Sequence, residues 1–172
     1  MKKTFTCVAL AVAASTVPPL ANAADVQRQV EIAERGKNVM PFNLKATTHI
    51  FTKTAVGGTQ RVIAKHAGDK EQTTLIREHL QEIRSQFIEG DFSSPSYIHG
   101  NDMPGLTELR LAKPGQIAIE YREVADGAEL DYRTSDAKSV AALHNWFDAQ
   151  LADHGPDAVE GQRHHHGDMP KP

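Results

Sequence analysis

Two hydrophobic patterns alternate along the chain, one of period two and one of helical period, and their order repeats. Residues 47–53 are rich in β-branched and aromatic side chains and read as a strand. Gly57-Gly58 reads as a turn, and residues 60–65 return as a second strand. Ile76, Leu80, Ile83 and Phe87 then recur at helical spacing. Asp69 and Gln72 make a capping box ahead of them and Gly90 a stop behind, so a helix is predicted over 69–89. Over 116–124, Ile117, Ile119 and Tyr121 alternate with Ala118, Glu120 and Arg122. Asp126-Gly127 signals a hairpin, and 129–133 returns with Leu130 and Tyr132 inward. Ser135 or Asp136 caps a last helix over 136–153, whose stripe is Val140, Leu143, His144, Phe147 and Leu151. The order is hairpin, helix, loop, hairpin, helix. The expected fold is therefore α+β: a four-stranded antiparallel sheet from two β-hairpins, covered on one face by two helices in ββα-ββα order. The two helical stripes align at a constant offset of 64, a partial internal duplication of the kind any two amphipathic helices show in part.

The ends of the chain follow other rules. Met1-Lys2-Lys3, an apolar run over 5–17 and Ala21-Asn22-Ala23 form the pattern of a secretory signal peptide over 1–23, too short for a membrane span. The protein is expected in the periplasm, beginning at Ala24. Residues 24–40 are a polar arm with scattered Val26, Val30 and Ala33, compatible with a short helix ending at Gly36 and with a loose arm. A single α+β domain is expected over 41–154. Residues 155–172 carry Gly, Pro, His and charge and predict a disordered tail, dispensable for folding.

Composition narrows the chemistry. Removing 1–23 leaves 149 of 172 residues and, with Lys2 and Lys3 gone, takes the formal charge from −3 to −5. It also removes Cys7, the only cysteine, and with it disulfides, thiolate metal sites and cysteine nucleophiles. The acidic balance argues against nucleic acid. No second apolar run suggests membrane integration, and the length suffices for one core without covalent staples.

Histidine then becomes the informative residue. His79 and His144 fall on the two helical stripes, and His49 shares a strand face with Phe51. His99 lies in a loop over 93–105 that also carries Asp102 and Met103, and in which Ser94-Pro95 starts a helical turn. Imidazole binds copper, zinc or haem iron, and thioether suits Cu(I) or haem iron. His79, His99 and His144 are expected to converge, with His49 or Met103 as a further ligand. The expected function is non-enzymatic binding of copper, zinc or haem. A histidine on an apolar stripe is more often a hydrogen-bonded core group than a ligand, so the alternative is a metal-free interaction module with structural histidines. A small hydrolase or transferase is the third reading, with His99 as general base beside Asp102. For it the chain offers no Gly-x-Ser-x-Gly, phosphate loop or paired carboxylates. In the tail, His164-His165-His166 with Asp168 and Met169 could capture divalent metal weakly.

Four segments carry a resemblance. They are Thr47-Thr48-His49-Ile50-Phe51-Thr52, Ile76-Arg77-Glu78-His79-Leu80, the stretch from Gly90 to Leu106 with its Ile-His-Gly-Asn-Asp-Met-Pro-Gly centre, and Ala142-Leu143-His144-Asn145-Trp146-Phe147-Asp148-Ala149-Gln150. Together they resemble a family of small exported bacterial proteins, and the likeness spans Met40 to His154. Members often go by the name aspartate carbamoyltransferase. Carbamoyltransferase activity is not expected here: those enzymes are much longer, lack an export signal and use a Ser-Thr-Arg-Thr phosphate turn that this chain does not have. The resemblance falls on His49, His79, His99 and His144.

Overall fold

The computed structural model describes residues 23–162. The signal-peptide pattern over 1–22 and His164, His165, His166, Asp168 and Met169 lie outside the described residues.

Five α-helices and five strands follow one another as α1 Ala23–Gly36, β1 Thr47–Thr54, β2 Gly57–Ala64, α2 Lys70–Ile88, α3 Ser93–His99, α4 Leu106–Arg110, β3 Ala118–Val124, β4 Gly127–Arg133, α5 Ala137–His154 and β5 Ala158–Glu160. The class is α+β. The sheet is not the expected four-stranded antiparallel one: it is mixed, with order β3-β4-β2-β1-β5. The two hairpins lie side by side through β2 and β4, antiparallel, with Gln60 opposite Leu130. The fifth strand pairs parallel to β1, Ala158 opposite His49. It comes from residues that composition assigns to a disordered tail. Gly155, at φ 52°, turns the chain at the end of α5. A 3-10 turn, Gly155–Asp157, then leads it onto the open edge of β1. Asp157 anchors the turn through Lys45 at 2.5 Å and Lys65 at 3.1 Å. Three residues show no alternation, so this strand leaves no periodic trace. The expected domain end at 154 therefore moves to at least Glu160.

The first hairpin turns two residues earlier than expected, at Ala55-Val56, and Gly57 opens β2. A Cβ at Gly58 would lie 2.3 Å from the Thr52 carbonyl oxygen and 2.6 Å from the Phe147 ring, so glycine is required here by packing. In the second hairpin Asp126 takes the left-handed conformation, φ 57°, that such a turn needs.

One face of the sheet carries Phe51, Val62, Ile119, Leu130 and Tyr132, all buried. Helix α2 packs on β2, β3 and β4, and α5 on β1, β2 and β5. Helix α2 begins at Asp69, whose side chain accepts from the Gln72 N–H, and buries Ile76, His79, Leu80, Ile83 and Phe87, the stripe its spacing predicts. Helix α5 is turned from its predicted stripe. It buries Ser139, Ala142, Leu143, Trp146, Phe147, Gln150 and Asp153, leaving His144 on the flank. The cause is Trp146, the largest side chain on the helix and 1% exposed. It packs edge-on against Phe87 and Tyr132, ring centroids 5.8 and 5.9 Å away, and the helix rotates to bury it. Beyond the two expected covering helices, α1 and α4 pack on α5. Helix α3 supports α1, so residues 93–105 are largely helical, not a bare loop. No described helix is long and apolar enough to cross a membrane.

Candidate functional site

A small cavity of about 50 Å³ lies between the sheet and helices α2, α3 and α5. Four histidines line it: His49 from β1, His79 from α2, His99 from the end of α3 and His154 from the end of α5. Alternation along β1 puts His49 on the same face as Phe51. Helical spacing puts His79 on the buried stripe of α2. His99 is the last residue of α3, and Gly100, at φ 96°, lets the chain leave there.

The rings are close. His49 and His154 stack at 4.7 Å with planes 12° apart, and His99 meets His154 edge-on at 5.3 Å. Phe42 closes the cavity from the side of His79 and His49, at 5.6 and 5.9 Å. His99 Nδ1 lies 2.7 Å from Asp153 Oδ2. An ionised carboxylate only accepts, so Nδ1 carries a proton. Asp153 is held from its other side by Arg28 of α1, whose Nε is 2.5 Å from Oδ1 and whose Nη2 is 2.8 Å from Oδ2. The same Nη2 donates to the His99 carbonyl at 3.2 Å. Arg28 thus ties α1, α3 and α5 together behind His99.

Burial sets the charge state. Desolvation, then the neighbouring His79, push the His49 imidazole from 6.5 down to about 4. Desolvation likewise lowers His79, and it lowers His154 well below the ordinary value, helped by His49 and His99. Burial by itself raises the Asp153 carboxyl, but hydrogen bonds from His99 and Arg28 outweigh it and hold the group below its usual range. At neutral pH His49, His79 and His154 are therefore neutral, close to the ionised Asp153 carboxylate.

Three buried polar atoms on this cavity's walls have no hydrogen-bond partner: His49 Nδ1, Gln150 Oε1 and Trp146 Nε1. Two can offer lone pairs, and the indole N–H can only donate. A buried polar atom without a partner costs roughly 1–3 kcal/mol; Arg35 Nε, Gln86 Oε1 and Tyr121 OH, away from this cavity, are also without a partner.

Two of the expected ligands are elsewhere. His144 is half-buried on the flank of α5, its Nε2 donating to the Thr54 and Gly57 carbonyls at 3.0 and 2.9 Å. It pins the first hairpin turn. Met103 is 2% exposed in the hydrophobic core and does not line the cavity. Both departures have physical causes. The rotation forced by Trp146 carries His144 off the buried face, and the apolar thioether is drawn to core packing. His154 is not among the expected ligands, because it lies one position past the predicted last helix. Its trace was available: Leu143, Phe147, Gln150 and His154 continue one helical face once Trp146 is placed inward. Asp153 and Arg28 left no such trace, since they meet across 125 positions of sequence.

Among the described residues, no three histidine, cysteine, aspartate or glutamate side chains are arranged to hold one metal ion. Two stacked imidazoles cannot aim their lone pairs at one point, so His49 and His154 would have to unstack to share an ion. This cavity, at about 50 Å³, is smaller than the roughly 300 Å³ or more that pockets for large ligands occupy. Comparison with family models, with curated proteins and with solved structures returned no match.

Proposed function

We propose that the protein binds a single transition-metal ion, copper or zinc, in the histidine cavity, with His49, His99 and His154 as ligands and His79 beside them. The observation that carries this reading is the pairing of a buried, unpartnered His49 Nδ1 with a His99 whose Nδ1 is fixed by Asp153. Carboxylate-held imidazoles are characteristic supports of metal ligands, because the carboxylate fixes ring and tautomer and raises the basicity of the far nitrogen. The volume supports an ion with one or two waters, since a water needs ~10–15 Å³ by this measure. Such a water would accept from the Trp146 indole, and Gln150 Oε1 could accept from it in turn. Loading requires one ring of the His49–His154 stack to turn. The reading includes export to the periplasm with removal of 1–23, which a mass spectrum beginning at Ala24 would support.

The test is calorimetric titration with Cu(II) and Zn(II) of full-length protein carrying His164→Asn, His165→Asn and His166→Asn, purified without a chelating column. Binding at about 1 μM or tighter is expected for one of the two ions. His49→Gln and His154→Gln should each weaken it at least tenfold, and Asp153→Asn by roughly 10–100-fold. Absence of binding, or binding untouched by His49→Gln and His154→Gln, would overturn the assignment.

A further inference from the structure

A second cavity, of about 200 Å³, opens beside the C-terminal end of α2. Its floor is apolar and aromatic: Phe87, Leu143, Trp146 and Tyr132 contribute, with Ile119 from β3. Three exposed charged residues also line it: Glu89, Arg110 and Lys113. This cavity is separate from the histidine cavity, although Phe87 and Trp146 contribute to the walls of both.

We infer that this cavity binds a free α-amino acid with a large apolar side chain. Size selects the side chain. An engineered protein cavity of about 150 Å³ lined by Leu, Ile and Phe holds benzene, so 200 Å³ admits one aromatic ring or branched aliphatic chain with its attached carbons. The floor supplies faces and edges for it: Phe87 stacks on Phe92 at 4.3 Å and leaves Trp146 edge-on at 5.8 Å, a wall suited to a further ring. Charge selects the head group. Arg110 and Lys113 suit a carboxylate. Arg110 is held only by Asn101, at 3.5 Å, the limit of a hydrogen bond, so it is free to move to a ligand. Glu89 suits an ammonium. Because α2 ends at Ile88 with Glu89 as its cap, the partial negative charge of the helix end adds to the carboxylate there. A ligand with only one charge would leave the lining charge of the same sign unmatched. A zwitterion matches both.

Trp146 is the sole tryptophan in the chain, so its emission reports this cavity directly. Full-length protein, with a chelator present to keep the histidine cavity free of metal, would be titrated with L-phenylalanine, 3-phenylpropionate and 2-phenylethylamine. None of them absorbs where tryptophan alone is excited. L-Phenylalanine should give a saturable change. The two single-charge compounds should bind about 2–5-fold more weakly, the worth of one exposed ion pair. Glu89→Gln, at an exposed position, should keep the melting temperature and make L-phenylalanine and 3-phenylpropionate bind equally. No saturation by L-phenylalanine at about 10 mM, equal binding of all three compounds to the unaltered protein, or an unchanged preference in Glu89→Gln would each overturn the inference.

Discussion

Lowering the pH should destabilise this protein in a window set by its buried imidazoles. His49 titrates near 6.5 in an unfolded chain and at about 4 in the folded one, because burial and His79 disfavour its charged form. Between those values the unfolded state holds a proton that the folded state lacks. Stability is therefore full above pH 6.5 and falls as pH drops towards 4. One pKa unit corresponds to ~1.4 kcal/mol, so His49 contributes a loss of about 2.5 kcal/mol by pH 4.5. His154 and His79 are shifted in the same direction and add to it. His99 also faces this group, with Asp153 and Arg28 behind it, and Asp157 lies on the neighbouring turn. The carboxyls of Asp153 and Asp157 are both held below 3.8, so their contribution is lost only at more acid pH, below the imidazole window.

Domains of this size have a total stability of roughly 5–15 kcal/mol, and a loss of ~2.5 kcal/mol lowers the melting temperature by about 10 °C. Urea unfolding followed by Trp146 emission at pH 7.5, 6.5, 5.5 and 4.5 measures the effect. His49→Gln should flatten the slope by up to one proton. A free energy constant to within about 0.5 kcal/mol across this range, in protein without metal, would show that the cavity hydrates or protonates freely, and the account of its burial would fail.

Three further outcomes follow from the packing. Deleting 156–172 should lower the melting temperature by several degrees relative to a chain ending at Gln162, since it removes β5 and the Asp157 ion pairs, worth roughly 1–3 kcal/mol; equal melting of the two chains would mean that β5 contributes nothing. His144→Ala should cost about 1–2 kcal/mol in urea unfolding through the lost hydrogen bonds to the hairpin turn, and should leave Cu(II) and Zn(II) affinity unchanged. Gly105→Ala should destabilise by roughly 2–4 kcal/mol, because φ is 78° and the added Cβ would lie 2.1 Å from the Ala142 carbonyl oxygen; a loss below 1 kcal/mol would show that α4 can slide away from α5.

The elements with long, clean periods were legible. The α2 stripe and both hairpins are read directly from spacing, because each buries one face against a single partner layer. The α5 stripe was legible only to within a rotation. Val140, Leu143, Phe147 and Leu151 fit helical spacing as well as the observed face does, and only the bulk of Trp146 decides between them. That one rotation exchanges His144 for His154 at the candidate site. The parallel strand β5 and the Arg28–Asp153–His99 chain were not legible. Both join residues more than fifty positions apart, and neither leaves a local pattern.

The strongest physical reason to read the histidine cavity as a site is what it costs the fold. Four imidazoles occupy positions where Leu or Phe would pack without desolvation, and Phe42, Phe51 and Phe87 show that the surrounding layer is apolar. Only His99 has its ring nitrogen matched to a carboxylate; His49 Nδ1, Gln150 Oε1 and Trp146 Nε1 are buried without partners. By contrast, the buried charge on the opposite face is fully matched: Glu129, 1% exposed, accepts from Arg61 at 2.6 Å and from Arg122. Buried polar atoms without a partner also occur away from the cavity, at Arg35 Nε, Gln86 Oε1 and Tyr121 OH, so what distinguishes the cavity is that three such atoms belong to residues lining one small space. Unmatched atoms at roughly 1–3 kcal/mol each take a large share of a stability of about 5–15 kcal/mol, which a guest binding only the folded state would return. One imidazole of the cluster is already oriented by a carboxylate, and on the reading proposed above a small cation with its water would be the guest.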